Sequence, residues 1–581
     1  MKFRHFISSA ALAMAAIGFA PAEASAATFT ANLGVGSSNV GPGGDYPDLA
    51  SAAEDFTTGS QAVTGNYTFF ITGSTTETRQ MAFGKATNGF TITIKPAPAT
   101  TATITFAYGT QNNNASTFGQ TQGCPGQIIV GLNNLANTNA AIEGGFVPTN
   151  NFVVDGSNTN GGTTRDLTLQ TPNAGLINSR TVHILGSNNC VVKNCNITNG
   201  AQGSPSVGVF VTTVKLPISS TGAPTTVASP LNTVIDNNLI SASGNGSAAG
   251  ILFNAFYDGQ LNTTNFPAAG SGAAGYVISN NTVVGRNRGI ALSLGLSGTI
   301  TSNTVSAGNS SSAYSGVGTS GIAHINSFNS TGWTIDITKN WITSLAGTNT
   351  GSGLGAIALG VAAQGAGTYN VSNNMMAGFT NGAGNNHHHG IFCRANASDY
   401  NLRHNSINVS NTSATAATAD FVAAILIEST ARTGISRVHN NLVRLAQDNG
   451  IGISHVTNDT TKLITDGNDI ALVGATTNFG RFGGTNAATL AAWKLATNNQ
   501  EALGQTVDPA ATTGSKWVSA DAIDLHFVPI HTVPVGISGG VPVATTGIAT
   551  DIDGQPRSAS APLPGADEVI AGTGVLEWQL F

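Results

Sequence analysis

The sequence predicts an all-β chain wound as a parallel β-helix solenoid, with a short N-terminal cap helix and a C-terminal capping extension. Three observations carry that prediction. A short phrase centred on asparagine recurs about every 34 residues, apolar residues stand at fixed offsets from it, and charged side chains make up only 9% of the chain.

Lys2 and Arg4, the apolar stretch from Ala10 to Ala20 and the small residues Ala24, Ser25 and Ala26 have the layout of a secretory signal peptide. Residues 1–26 are therefore expected to be a leader cleaved after Ala26. The rest is expected outside the cytoplasm, at the cell surface, in the periplasm or in the medium. No later stretch is apolar for the roughly eighteen residues that a membrane span needs, and no cysteine follows the leader to take a lipid anchor. A net charge of −6 over 581 residues leaves no basic footprint, so nucleic acid is excluded as a partner. The missing charge is replaced by Asn, Thr, Ser and 72 Gly, while 40% apolar content argues against a disordered polar chain.

Residues 27–60 are expected to cap the first coil. In "DYPDLASAAEDF", Tyr46, Leu49, Ala53 and Phe56 recur at helical spacing behind Pro47, a residue suited to a first helical turn. The strands "YTFFIT", "TITIKP" and "NFVVDG" then begin the solenoid, which spans residues 61–475.

Nine phrases, from "VVKNCNI" to "ITDGNDI", align on Cys195, Asn238, Asn281, Asn303, Asn340, Asn374, Asn405, Asn441 and Asn468. Two residues later stand Ile197, Ile240, Val283, Val305, Ile342, Met376, Ile407, Val443 and Ile470. Three residues earlier stand Val192, Ile235, Ile278, Ile300, Ile337, Val371, Leu402 and Val438, with Thr465 the one polar exception. Each phrase reads as a short β-branched strand, a one-residue corner and a second strand, because Asn tolerates the left-handed conformation a corner needs. Asparagines at one column can also stack their amides into a hydrogen-bonded ladder. A third strand follows, usually opened by glycine, as in "GVFV", "GILF", "GIAL" and "GIFC". Strand, corner, strand, loop, strand is one coil, and the period belongs to solenoids. Helical solenoids are excluded by the abundance of Gly and Asn.

On these repeats, over residues 150–470, the chain resembles the right-handed parallel β-helix, or pectate-lyase-like, superfamily. The resemblance implies a short N-terminal cap helix and a substrate groove along one outer sheet. Coils about 4.8 Å apart would give nine phrases a length of roughly 43 Å.

Residues 476–581 are expected to form the C-terminal cap and extension. "NAATLAAWKLATNN" reads as a helix with Leu490 and Trp493 on one side. Asp551, Asp553 and Gly554 have calcium-loop spacing, but Ala549 stands where the first acidic ligand is needed, so a tight turn with Arg557 held by Asp567 or Glu568 is expected. Cys124, Cys190, Cys195 and Cys393 read as buried thiols, with two disulfides as the alternative.

The candidate site lies in "NNHHHGIFCRANAS", residues 385–398. Counting from Gly390, strand alternation turns Ile391 and Cys393 inward and Phe392 and Arg394 outward. The same count sends Leu426 and Glu428 outward on the next coil, and Gly452 and Ser454 on the one after, with His455 just beyond. Arg394 and Glu428 should then be side by side, with Asn254 and Ser293 in the same column. The resemblance implies a polysaccharide groove. There Arg394 would neutralise a uronate, His389 would act as base and Glu428 would orient Arg394. Phe392, His387, His455, Asn254 and Ser293 would contact the sugar. The alternative is a cross-rung ion pair beside a polar loop.

Carboxylates are scarce, and no two between residues 181 and 470 align on adjacent coils, so a glycosidase pair is missing and a lyase is the more natural enzyme. His387 and His389 share a face, but no acidic or thiol cluster completes a metal set, so neither metal nor cofactor is predicted. The expected function is binding of an extracellular acidic polysaccharide, with cleavage if the Arg394 set assembles. The alternative is a non-enzymatic, adhesin-type surface protein.

Overall fold

The computed structural model describes residues 34–107, 126–133, 145–172, 179–200, 206–216, 226–242, 249–256, 272–293, 295–310, 317–325, 330–347, 353–360, 365–381, 388–410, 422–510, 517–519, 524–527 and 536–569. The expected leader, residues 1–26, lies outside the described residues.

Three long sheets, almost entirely parallel, run the length of the molecule. The first begins at Gly36–Val40 and ends at Leu463–Asp466, the third begins at Thr75–Glu77 and ends at Asp469–Leu472, and the second begins at Met81–Phe83. The chain visits first, third and second sheet in turn, so each circuit is one coil of a parallel β-helix.

The aligned apolar positions form continuous ladders. Val192, Ile235, Ile278, Ile300, Ile337, Val371, Leu402, Val438 and Thr465 pair in register along the first sheet. The run from Ile197 to Ile470 does the same along the third. Both ladders are buried in one core that runs through the whole helix.

The asparagine column is buried between them. From Asn238 to Asn468, each Nδ2 donates to the Oδ1 of the next coil's asparagine at 2.9–3.0 Å. The left-handed corner is the residue before the ladder residue: Asn194, Asn237, Asn280, Ser302, Lys339, Asn373, His404, Asn440 and Gly467 all have positive φ. The two roles assigned to one asparagine by the sequence are thus shared by neighbours, one for backbone conformation and one for the ladder.

At the N-terminal end, helix α1 (Leu49–Thr58) buries Leu49, Ala53 and Phe56 over the first coil. Asp48, rather than Pro47, starts it by accepting from the Ser51 N–H. The buried Glu77 carboxylate accepts the N–H groups of Leu49 and Ala50, fixing the helix to the third sheet. The strand Gly36–Val40 precedes this helix and pairs with Tyr67–Ile71, an element the sequence reading missed.

At the other end, helix α2 (Leu490–Ala496) sets Trp493 against Phe479 and over Gly480, where no Cβ would fit. The extension beyond it leaves the end of the helix. It runs back along the outer face of the third sheet, where Trp517, Leu525, Phe527, Ile537, Leu563 and Ala566 cover Met375 and Leu442. The expected turn is present: Arg557 Nη1 lies 3.0 Å from Glu568 Oε2, and Nη2 reaches Asn373 Oδ1 at 2.8 Å. Cys190, Cys195 and Cys393 are free and buried, and burial pushes the Cys190 thiol up to about 12. Cys124 lies outside the described residues.

Candidate functional site

The strand His388–Cys393 lies in the second sheet between Gly353–Leu359 and Val422–Ile427. Gly390 breaks its alternation. Ile391 pairs with Ile357 and Ile425, yet Gly390 also faces inward, because a Cβ there would meet Ile407 Cγ2 at 2.5 Å and the Ala424 carbonyl at 2.7 Å. Glycine is needed at this close approach, and the kink shifts everything before it by one side.

Arg394 and Glu428 are neighbours, Nε to Oε2 3.2 Å, with the side chains 40% and 42% exposed. The rungs are tied by the Glu428 N–H to the Cys393 carbonyl. Asn254 and Ser293 do lie in the same column, but Ile325 and Gly360 occupy the two rungs between Ser293 and Arg394. That places Ser293 about 14 Å from Arg394 along the helix, and both Asn254 and Ser293 are buried.

Three expectations for this region are corrected. Phe392 does not face solvent; it is 2% exposed and belongs to a second apolar stripe with Phe210, Leu252, Ala358 and Leu426 on the outer side of the same sheet. Alternation identifies an outward position but not what covers it. His389 is buried too, its ring stacked on Phe392 at 5.5 Å and its Nδ1 3.3 Å from the Ala423 carbonyl. Five positions of strand separate it from Arg394, on the order of 15 Å. His455 pairs with Ile427, which pairs with Cys393, so it lies in an inward column, stacked on Phe482 with Nδ1 2.8 Å from the Thr457 carbonyl. Burial lowers its pKa to about 4. His387 lies outside the described residues.

A different place gathers polar groups around open space. The corner between Phe152–Asp155 and Leu167–Thr171 takes the eleven residues 156–166, where the corner after Val234–Asp236 takes only 237–238. The long corner folds over the next two coils and borders a wide-open surface cleft of about 640 Å³ lined by Thr163, Arg165, Asn196, Asp236, Asn237 and Asn280.

Its walls are held from behind. Arg165 Nε and Nη2 donate to the carbonyl and Oδ1 of Asn237 at 2.9 and 2.7 Å. Asn237 Nδ2 donates to the Thr163 carbonyl and to Asn194 Oδ1. Asp236 Oδ1 accepts from Ser279 Oγ and Asn280 Nδ2, and Asn196 Nδ2 donates to the Arg165 carbonyl. The corner is braced by Ser157 on Thr164 and by Asn158 on the Thr100 carbonyl. Sequence reasoning passed over these residues; the signal was the length of "GSNTNGGTTRD" where later coils turn in two residues.

No family model matches the chain, and no curated protein does. Among solved structures, the crystal structure of PfbA, a surface adhesin of Streptococcus pneumoniae, is similar at 10% identity and a TM-score of 0.34, over 75% of this chain and 88% of that one.

Proposed function

We propose that the chain is a non-catalytic β-helix binding protein of the adhesin type, exported and contacting extracellular glycan through its long polar faces. The observation that carries this reading is the separation of the residues a lyase would need. A general base works within hydrogen-bond reach of the proton it takes. His389 is packed under the outer stripe, His455 lies on the inner side of the sheet, and the Arg394–Glu428 pair is on the surface. Faces rich in Thr, Ser and Asn, with few charges, suit many weak contacts to hydroxyl-rich partners.

A second reading, uronate binding and cleavage at Arg394, is favoured by one observation: the guanidinium is part-exposed beside Glu428. One experiment separates the two. The full chain is incubated with oligogalacturonate and alginate fragments and with glycan-coated surfaces. Retention on surfaces with no unsaturated product supports the binding protein; unsaturated product that falls at least tenfold in Arg394→Ala supports the lyase.

A further inference from the structure

We infer that the cleft under the 156–166 corner is a saccharide-binding site for a neutral, hydroxyl-rich oligosaccharide. This rests on the binding-protein reading above and names where and what it binds.

The lining residues carry hydrogen-bonding atoms that no wall contact uses. Among the described residues, no hydrogen bond engages Arg165 Nη1, Asp236 Oδ2, Asn196 Oδ1 or Asn280 Oδ1, while the other polar atoms of those side chains are committed to the walls. One fixed donor and three fixed acceptors match the mixed donor and acceptor character of vicinal sugar hydroxyls. Because the side chains are already anchored, binding orders few of them, which lowers the entropic penalty of association.

Charge selects the ligand class. Arg165 and Asp236 face the same space, so a uronate attracted by one is opposed by the other, and the guanidinium likewise opposes a metal cation. A neutral sugar meets neither objection. Leu239, in register with Asn196 and 41% exposed, is not part of the lining but is the nearest exposed apolar side chain along that rung. The departure from the two-residue corner is itself informative, since insertions in repeat proteins gather on binding faces.

The test uses the full chain and two probe sets: glucan, mannan, galactan and xylan fragments as neutral probes, and oligogalacturonate and alginate fragments as uronates, with affinity read by calorimetry. We expect a neutral fragment to bind and its affinity to fall at least tenfold in Asp236→Asn and in Thr163→Trp. The second variant fills the cleft from an exposed position that supports no wall through its side chain, so it tests the site without disturbing the fold. Neutral fragments that bind the wild type and both variants equally overturn the site but leave the binding-protein reading standing. Preference for uronates overturns the ligand class, and no binding by any probe overturns both this site and the glycan-binding reading.

Discussion

Glu501 closes the asparagine ladder: its Oε1 accepts the backbone N–H of Asn468 at 2.7 Å and the Asn468 amide Nδ2 at 3.0 Å, while Oε2 accepts the Thr465 hydroxyl. A directional ladder must end somewhere, and its last member leaves buried donors that no further coil can satisfy. A carboxyl group, both of whose oxygens can accept, fits that end. Glu501→Ala should therefore lose about 2–4 kcal/mol in denaturant unfolding, the usual result of stranding two buried donors, the Asn468 N–H and the Thr465 hydroxyl, since Asn468 Nδ2 keeps the Val438 carbonyl. A loss below about 0.5 kcal/mol would mean the ladder does not depend on its terminator.

The same residue gives the molecule a pH signature. Burial raises the Glu501 carboxyl to about 7 against the hydrogen bonds that lower it. A folded pKa above the unfolded value means the contribution is fully present below about pH 4.5 and is lost as pH rises through 7. Between pH 5 and 8 the thermal midpoint of the wild type should fall more than that of Glu501→Gln; parallel profiles would contradict this.

Histidines work in the opposite direction. Burial lowers His324, His439 and His455 to about 4. Their contribution is present above about pH 6.5 and disappears as pH falls through 4, because the unfolded chain takes up the protons first. His455→Phe removes one titrating group from the column that already holds Phe482, so its acid unfolding should be shallower between pH 6.5 and 4 than that of the wild type.

Phe392 tests the outer stripe. If it stood in an open groove, Phe392→Ala would change stability little. Packed among Leu426, Ala358 and its neighbours, it should cost about 3–5 kcal/mol. Gly390→Ala, which drives a methyl into Ile407 and the Ala424 carbonyl, should cost about 1–3 kcal/mol in the same assay.

Much of this architecture was legible because a repeat writes its core many times. Val192 to Val438 and Ile197 to Ile470 announced their burial by position alone, and Leu490 and Trp493 announced the closing helix. The candidate site was less legible for two physical reasons. Strand alternation is a local rule, and the inward glycine at 390 breaks it, so His389 and Arg394 could not be placed relative to one another by counting. Outward is also not the same as exposed: Phe392 faces out into a covered stripe, and Met375 and Leu442 face out under an extension that the chain supplies only beyond its closing helix. The Arg165 cleft depends on a loop crossing two coils, which leaves no periodic trace.

The claim on which the rest depends is that stacked asparagines between two aliphatic ladders hold the coils in register. Asn374 is the place to test it, since its Oδ1 accepts from Asn340 N and Nδ2 and its Nδ2 donates to Ile337, Ser372 and Asn405. Denaturant unfolding of Asn374→Leu measures it most directly. A loss of more than about 2 kcal/mol is predicted, because buried donors and carbonyls on three coils lose partners together. A variant within about 0.5 kcal/mol of the wild type, with unchanged cooperativity, would contradict it.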